Sequence, residues 1–311
     1  MDAGPPLHQT VAQTLAVLTE AAAALSGAGL DSALVLDTIT DLIVEHVGDA
    51  ALAYVIAPNG VDFVIEAGTS SNVGMHATVT SLQGRPPYRV DDDSLVARCA
   101  RDRETMVIPR VDLRTLPLPD AYRYEYESSP VRSLVYVPLA TETEVLGVLA
   151  VARNLDTGEP FADADVEITC DLAELATRAL ANTRLHRELA ASTALFETAF
   201  HSAPIGMALV SMTDDLGRLV QVNASLAEMT GYTETELLSM RVPDLFPPEA
   251  RVRIEDDLHT ASTGTPSDAR ALGRLVRRDG TQIEARVDAR GVVVPGRPAH
   301  IGLMQVQMEA R

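Results

Sequence analysis

The sequence contains no lysine, and all 25 of its basic residues are arginine. A phosphate-binding P-loop needs its lysine and a Schiff-base enzyme needs an amine, so neither chemistry is available. A GC-rich coding bias is the simplest origin of the substitution. Tryptophan is absent too, and only two cysteines occur, Cys99 and Cys170. They form no C-x-x-C pair and have no histidine at metal-ligand spacing, so neither a disulfide framework nor a metal site is expected. The opening residues MDAGPPLHQT lack a basic region followed by an apolar one, so no signal peptide is expected. The apolar stretch from Leu15 to Leu30 is broken by Glu20, Ser26, Gly27 and Gly29, which rules it out as a membrane span. Acidic residues outnumber basic ones by 44 to 25, giving a net charge of −19. Such a surface repels nucleic-acid phosphates and anionic lipid, so neither partner is expected and a cytoplasmic location is. There is no G-x-S-x-G, no H-E-x-x-H and no glycine-rich kinase loop, so no enzyme activity is expected. The run Asp91, Asp92, Asp93 reads as solvated turn residues.

What is present suffices for two domains: 311 residues, 46% of them hydrophobic. Val11, Leu15, Leu18, Ala22 and Leu25 step by four and three, which predicts a helix over 8–27 stopped by Gly27 and Gly29. Asp31 or Ser32 can cap a second helix, with Leu36, Ile39, Ile43 and Val47 on one face. LAYVIA and VDFVIEA flank Asn59-Gly60 and predict a hairpin. Residues 68–93 read as a long loop, and Ser94 as the cap of a short helix carrying Leu95, Val96 and Cys99. The run MVIP predicts a short strand, followed by a loop to residue 130. Residues 133–153 form the strongest strand pair, around the polar turn Thr141–Glu144. A long helix is expected from about Asp163 to beyond residue 195.

SLVYVPLATETEVLGVLAVAR, followed by GEPFADADVEITCDLAELATRALAN, resembles the last two strands and closing helix of a GAF domain. SLVARCARDRETMVIP resembles the segment leading into that family's central strand, and the likeness spans roughly residues 10–190. GAF domains bind cyclic nucleotides, bilins, haem or small metabolites, or nothing. The cyclic-nucleotide motif is matched only in part, at Asn154, Phe161 and Asp165. The plainer reading has Phe161 filling the core and Asp163 capping the helix. Cys99 lies where a bilin-attaching thiol can sit, but Ala100 follows it in place of histidine. A small buried hydrophobe is the plainer role. His46 on a helix and His76 in the long loop are the histidines weighed as haem ligands, and both read as edge residues. Pocket candidates in this domain are Tyr54, Phe63, Cys99 and Tyr136.

Along the long helix, Ile168, Leu172, Leu175, Ala179, Asn182, His186, Leu189, Thr193 and Phe196 step alternately by four and three. That is a heptad seam, and its second half needs a partner, most simply the same helix of a second copy. Leu175, Ala179, Asn182, His186 and Leu189 are the dimer candidates, with Asn182 favouring a parallel register. His186 is read as a solvated helix residue rather than a phosphoacceptor.

In the last third, NASLAEMTGYTETELL is punctuation: Asn223 starts one helix, Gly231 stops it, and Thr233 with Glu236 starts the next. The order strand, Asn, short helix, Gly-Tyr, Thr-x-x-Glu-Leu resembles a PAS domain. FETAFHSAPIGMALV, LVRRDGTQIEARVDARGVVV and PAHIGLMQVQM match its lead-in, central hairpin and last strand. Residues 224–226 hold no cysteine, which excludes light-sensing flavin–thiol chemistry, and the missing tryptophan weakens flavin stacking. For haem, His259 lies in a helix, but the family's ligand position, counted from Pro247-Pro248-Glu249, falls near Ile254. Candidates here are Met207, Met229, Leu245 and His259.

The expected fold is α+β: a GAF-like domain over 1–190 and a PAS-like domain over 191–311, each an antiparallel sheet flanked by helices, joined by a long signalling helix. The expected function is a non-catalytic sensory module of the bacterial signal-transduction type. It would bind a small ligand or a partner protein and act as a homodimer on a downstream signalling protein or output domain. Two alternatives stand beside it. One is the sensory part of a larger enzyme, such as a diguanylate cyclase, histidine kinase or phosphatase. The other is a bilin or haem photoreceptor or gas sensor. The sequence identifies no cofactor.

Overall fold

The structure, a computed structural model, describes residues 7–29, 31–71, 73–83, 88–112, 114–116, 131–155, 159–213, 215–262, 269–292 and 301–308. Two compact units are present, Met1–Leu189 and Ala190–Arg311. Among the described residues, no helix is long and apolar enough to cross a membrane.

In the first unit the elements run α1 (Leu7–Ala28), α2 (Ser32–His46), β1 (Ala50–Ile56), β2 (Asp62–Ser70), α3 (Val73–Gln83), β3 (Tyr88–Arg89), α4 (Leu95–Asp102), β4 (Met106–Ile108), β5 (Val131–Ala140) and β6 (Val145–Asn154). The helix α5 (Asp163–Ser202) follows. The strands form one antiparallel sheet in the order β3-β2-β1-β6-β5-β4. Both faces of this sheet are buried, as its near-continuous apolar runs require. Ala51, Ala53, Val135, Val137, Leu149 and Val151 meet α1, α2 and α5 on one face. Ala50, Leu52, Tyr54, Leu134, Tyr136, Val148 and Ala150 alternate onto the other, beneath α3 and α4. At the centre, Gly147 lies against the β1 backbone. A Cβ there would stand 2.1 Å from the Tyr54 carbonyl oxygen, so the position admits no side chain.

Several expectations change here. Residues 68–93 are not one loop. β2 runs to Ser70, and α3 buries Met75, Val79 and Leu82 at helical steps. The segment is rich in Thr, Ser and Val, weak helix formers, which masks it. His76 is therefore a solvent-facing residue of α3. Helices cover both faces of the sheet. On α1 the inward face is Val17 and Ala21 with Leu18 and Leu25 beside them, and Leu15 is 65% exposed. Asp31, not Ser32, caps α2, accepting from the amides of Ala33 and Leu34. Most of the loop expected up to residue 130 lies outside the described residues. Ser94 caps α4 as expected, accepting from the Ala97 amide at 3.2 Å. That helix ends in left-handed Arg103, whose guanidinium donates to the carbonyls of Thr141, Glu142 and Glu144.

The start of α5 is fixed by Arg153. Its guanidinium donates to the Val47 carbonyl at 2.7 Å and to the carbonyls of Glu159 and Pro160. It pairs with Asp165 at 3.1 Å and lies over the Phe161 ring at 4.6 Å. Asp165 in turn accepts from the Ala162 amide at 2.8 Å. Ala162 has no side-chain acceptor, so the helix start is capped from its third position by Asp165 rather than by Asp163. Phe161 does fill the core, at 8% exposure.

The second unit holds β7 (Gly206–Ser211), β8 (Leu219–Val222), α6 (Ala224–Thr230), α7 (Glu234–Leu238), a 3-10 turn (Val242–Leu245), α8 (Pro248–Ser262), β9 (Ala269–Val276), β10 (Gln282–Val292) and β11 (Ile301–Met308). Its sheet is antiparallel in the order β8-β7-β11-β10-β9. The described helices pack on one face, around Phe246, Leu226, Leu245, Ile254 and Leu258.

Replacing Arg153 by methionine keeps the aliphatic stem but strands the Val47 and Pro160 carbonyls. The expected loss is about 2–3 kcal/mol from the first unit. Both cysteines lie in that unit, so thiol labelling along a urea series reads its unfolding alone. An unchanged midpoint would show that Arg153 does not anchor α5.

Candidate functional site

The four candidates of the first unit come together. Tyr54, Phe63, Cys99 and Tyr136 are each no more than 2% exposed and belong to one cluster under α3 and α4. Tyr88 meets Tyr54 edge to face, with ring centroids 5.6 Å apart. Met75, Val79, Leu82 and Tyr88 complete the wall, and none was a candidate because their segment reads as loop. Their signal was the four-and-three spacing of Met75, Val79 and Leu82. The cluster is aromatic, apolar and closed to solvent, and it offers no group for covalent chemistry.

Cys99 sits 3.4 Å from the Glu104 carbonyl. Burial, aided by the charge of Asp102 and by Cys170, pushes its thiol up to about 12. A thiol so raised is almost wholly protonated at neutral pH, so it supplies no nucleophile.

On α5 the first half is claimed by its own sheet through Leu172, Ala173, Ala176, Leu180 and Thr183. This stripe is rotated from the seam read in the sequence. Leu175 and Ala179 are therefore only half-buried against the first core, and Asn182 and His186 are exposed. Residues 184–199 are exposed throughout. Within them Leu185, Leu189, Leu195 and Phe196 stand 65%, 63%, 72% and 46% exposed. Asn182, Leu185, Leu189, Ser192 and Phe196 step by three and four, so the apolar stripe passes through Leu185 rather than His186.

In the second unit Asn223 is 1% exposed and makes four hydrogen bonds. Its Oδ1 accepts from the amides of Leu226 (2.9 Å) and Met207 (2.8 Å). Its Nδ2 donates to the carbonyls of Phe200 (3.0 Å) and Ile205 (2.9 Å). One side chain thus caps α6, fixes the start of β7 and holds the end of α5. Gly231 closes α6 at φ +73°, a left-handed conformation that favours glycine. Thr233 and Glu236 form a reciprocal capping box. Glu236 also pairs with Arg278 at 2.7 Å, and Arg277 donates to the Met229 carbonyl, tying the short helices to the β9–β10 hairpin.

Of the candidates here, Leu245 is buried in the core and Met229 packs against it. Met207 does not join them. Along β7 it alternates with Ala208 and Val210, which take the core face. His259 is exposed, because Ile254 and Leu258, four residues apart, take the inward face of α8. The inward position is therefore Ile254, which offers no axial ligand.

A GAF-domain family model matches residues 31–180, and a PAS-domain model matches residues 204–300. Among solved structures, the GAF domain of an Acinetobacter phosphoenolpyruvate-protein phosphotransferase is 16% identical over 56% of this chain and 95% of its own, with a TM-score of 0.45. A GAF domain/HD domain protein from Geobacter sulfurreducens is 22% identical over 52% of this chain and 98% of its own, with a TM-score of 0.43. The PAS domain of an HTR-like protein from Haloarcula marismortui is 20% identical over 40% of this chain and 98% of its own, with a TM-score of 0.34. No curated protein matches the chain.

Two outcomes are expected. Replacing Asn223 by alanine removes a cap and leaves buried amides and carbonyls unpaired, costing about 3–5 kcal/mol. Hydrogen exchange at the Val210 and Leu226 amides should accelerate accordingly, and unchanged exchange would contradict the role. Cys99 should alkylate with iodoacetamide at least roughly thirtyfold more slowly than an ordinary thiol below pH 9. Rapid double labelling of the native chain would contradict it.

Proposed function

We propose, for a chain made of a GAF domain followed by a PAS domain, that the two sensory domains are read out through α5 in a homodimer. Such domains place the chain among signalling sensors. The observation that carries the finer reading is residues 184–199, a helical stretch exposed on every side that leaves three leucines and a phenylalanine in water. A helix segment without a buried face is marginal on its own. The same stripe from a second copy covers it, and Asn182 at a seam position sets a parallel register at some cost in stability. The GAF domain receives a small apolar or aromatic ligand among Tyr54, Phe63, Tyr88 and Tyr136. Its binding biases how the helix pair packs, which is coupling through a two-state element. The catalytic output belongs to a separate protein or a further domain.

Leu189→Glu tests the pairing. Burying leucine contributes about 1.5–3 kcal/mol per chain, so losing it from both should weaken the dimer by at least about a hundredfold. Sedimentation velocity should show a dimeric wild type and a monomeric variant. A monomeric wild type, or a dimer indifferent to the substitution, would remove this reading.

A further inference from the structure

The first unit has a concavity on the face of its sheet opposite the aromatic cluster. A cleft of about 580 Å³ lies between the first turn of α2, the tip of the β1–β2 hairpin, the start of β6 and residues 180–187 of α5. Val55, Val64, Leu146 and Leu180 make its apolar surface, and Val64 is 39% exposed. One wall is a polar relay: Arg187 Nη1 donates to Ser32 Oγ at 3.3 Å, and Ser32 Oγ donates to Glu66 Oε1 at 3.0 Å. The two arginines of the cleft differ. Arg184 is matched by Glu144 and Glu188, each at 2.9 Å. Arg187 has no carboxylate within 4 Å among the described residues, in a chain whose net charge is −19.

We propose that this cleft binds a small amphipathic monocarboxylic acid, with its carboxylate on Arg187 and its hydrocarbon body over Val64, Val55 and Leu180. The volume is in the range of small-molecule sites, roughly 300–1,000 Å³. A planar guanidinium with one neutral hydrogen bond keeps a fork free for a carboxylate. Glu66 on the wall repels a second negative charge, so a singly charged head is favoured over a dicarboxylate or a phosphate. Over Val64 the hydrocarbon covers apolar surface now in water, at about 25 cal/mol per Å². Occupancy would bridge the hairpin to α5 without passing through the sheet. Only that consequence rests on the helix being the transmitting element; the binding itself does not.

The test is calorimetric titration of the full chain with sodium octanoate and with 1-octanol, in wild type and Arg187→Gln. Octanoate should bind wild type and octanol about tenfold more weakly, and Arg187→Gln should lose about tenfold in octanoate affinity. Arg187 is exposed, so the variant should melt with the wild type. Arg187→Lys, which keeps charge without the fork, should fall between them. Absent octanoate binding, equal binding of acid and alcohol, or affinity unchanged in Arg187→Gln would each overturn the proposal. Those results leave the oligomeric state untouched, so they are separable from a failure of the dimer reading.

Discussion

Helix α5 has 40 residues, and at 1.5 Å per residue it is about 60 Å long. A helix of half that length already spans a small domain. No single core can therefore bury α5, and most features of the chain answer to that constraint. Its start is fixed in the first unit by Arg153, which draws together the end of α2, the approach to the helix and Asp165. Its end is fixed in the second unit by Asn223, bonded to the Phe200 carbonyl. Each anchor is a mostly or fully buried polar side chain whose partners are chiefly backbone atoms. Each is costly to remove because those partners would be left unpaired. Between the anchors, the apolar residues of 184–199 are exposed.

The two faces of the first sheet divide the work. One face and its helices enclose an aromatic cluster, and burial keeps Cys99 there protonated. The other face packs α5, and the Arg187 cleft opens beside it. Strict alternation along β1, β5 and β6 makes this possible, since adjacent residues serve opposite faces. Gly147 allows β6 to approach β1 where a side chain could not fit.

Much of this was legible in the sequence, wherever a local rule settled the outcome. The capping roles of Asn223, Gly231, Thr233 and Glu236 act through bonds within a few residues, so their spacing declared them, whereas the bonds of Asn223 to Phe200, Ile205 and Met207 were not legible. The β5–β6 hairpin was plain from two apolar runs around a polar turn. What was not legible depended on distant partners. The carboxylate that caps α5 is Asp165 because Arg153, twelve positions earlier, holds it. The α3 segment escaped notice because its composition is weakly helical and its stability comes from packing Met75, Val79 and Leu82 on the sheet. The buried stripe in the first half of α5 departs from the heptad count because there the sheet rather than a partner helix sets the buried face. His259 and Met207 were chosen for their chemistry, and their neighbours' claims on the core turned them away.

The central claim is that residues 184–199 are covered by a second copy of the same helix. Hydrogen exchange of peptides spanning 184–199, followed across a wide range of protein concentration, tests it most directly. Protection that rises with concentration in that segment, while the Asn223 region stays constant, is the predicted result. Protection independent of concentration, or fast exchange at every concentration, would contradict it.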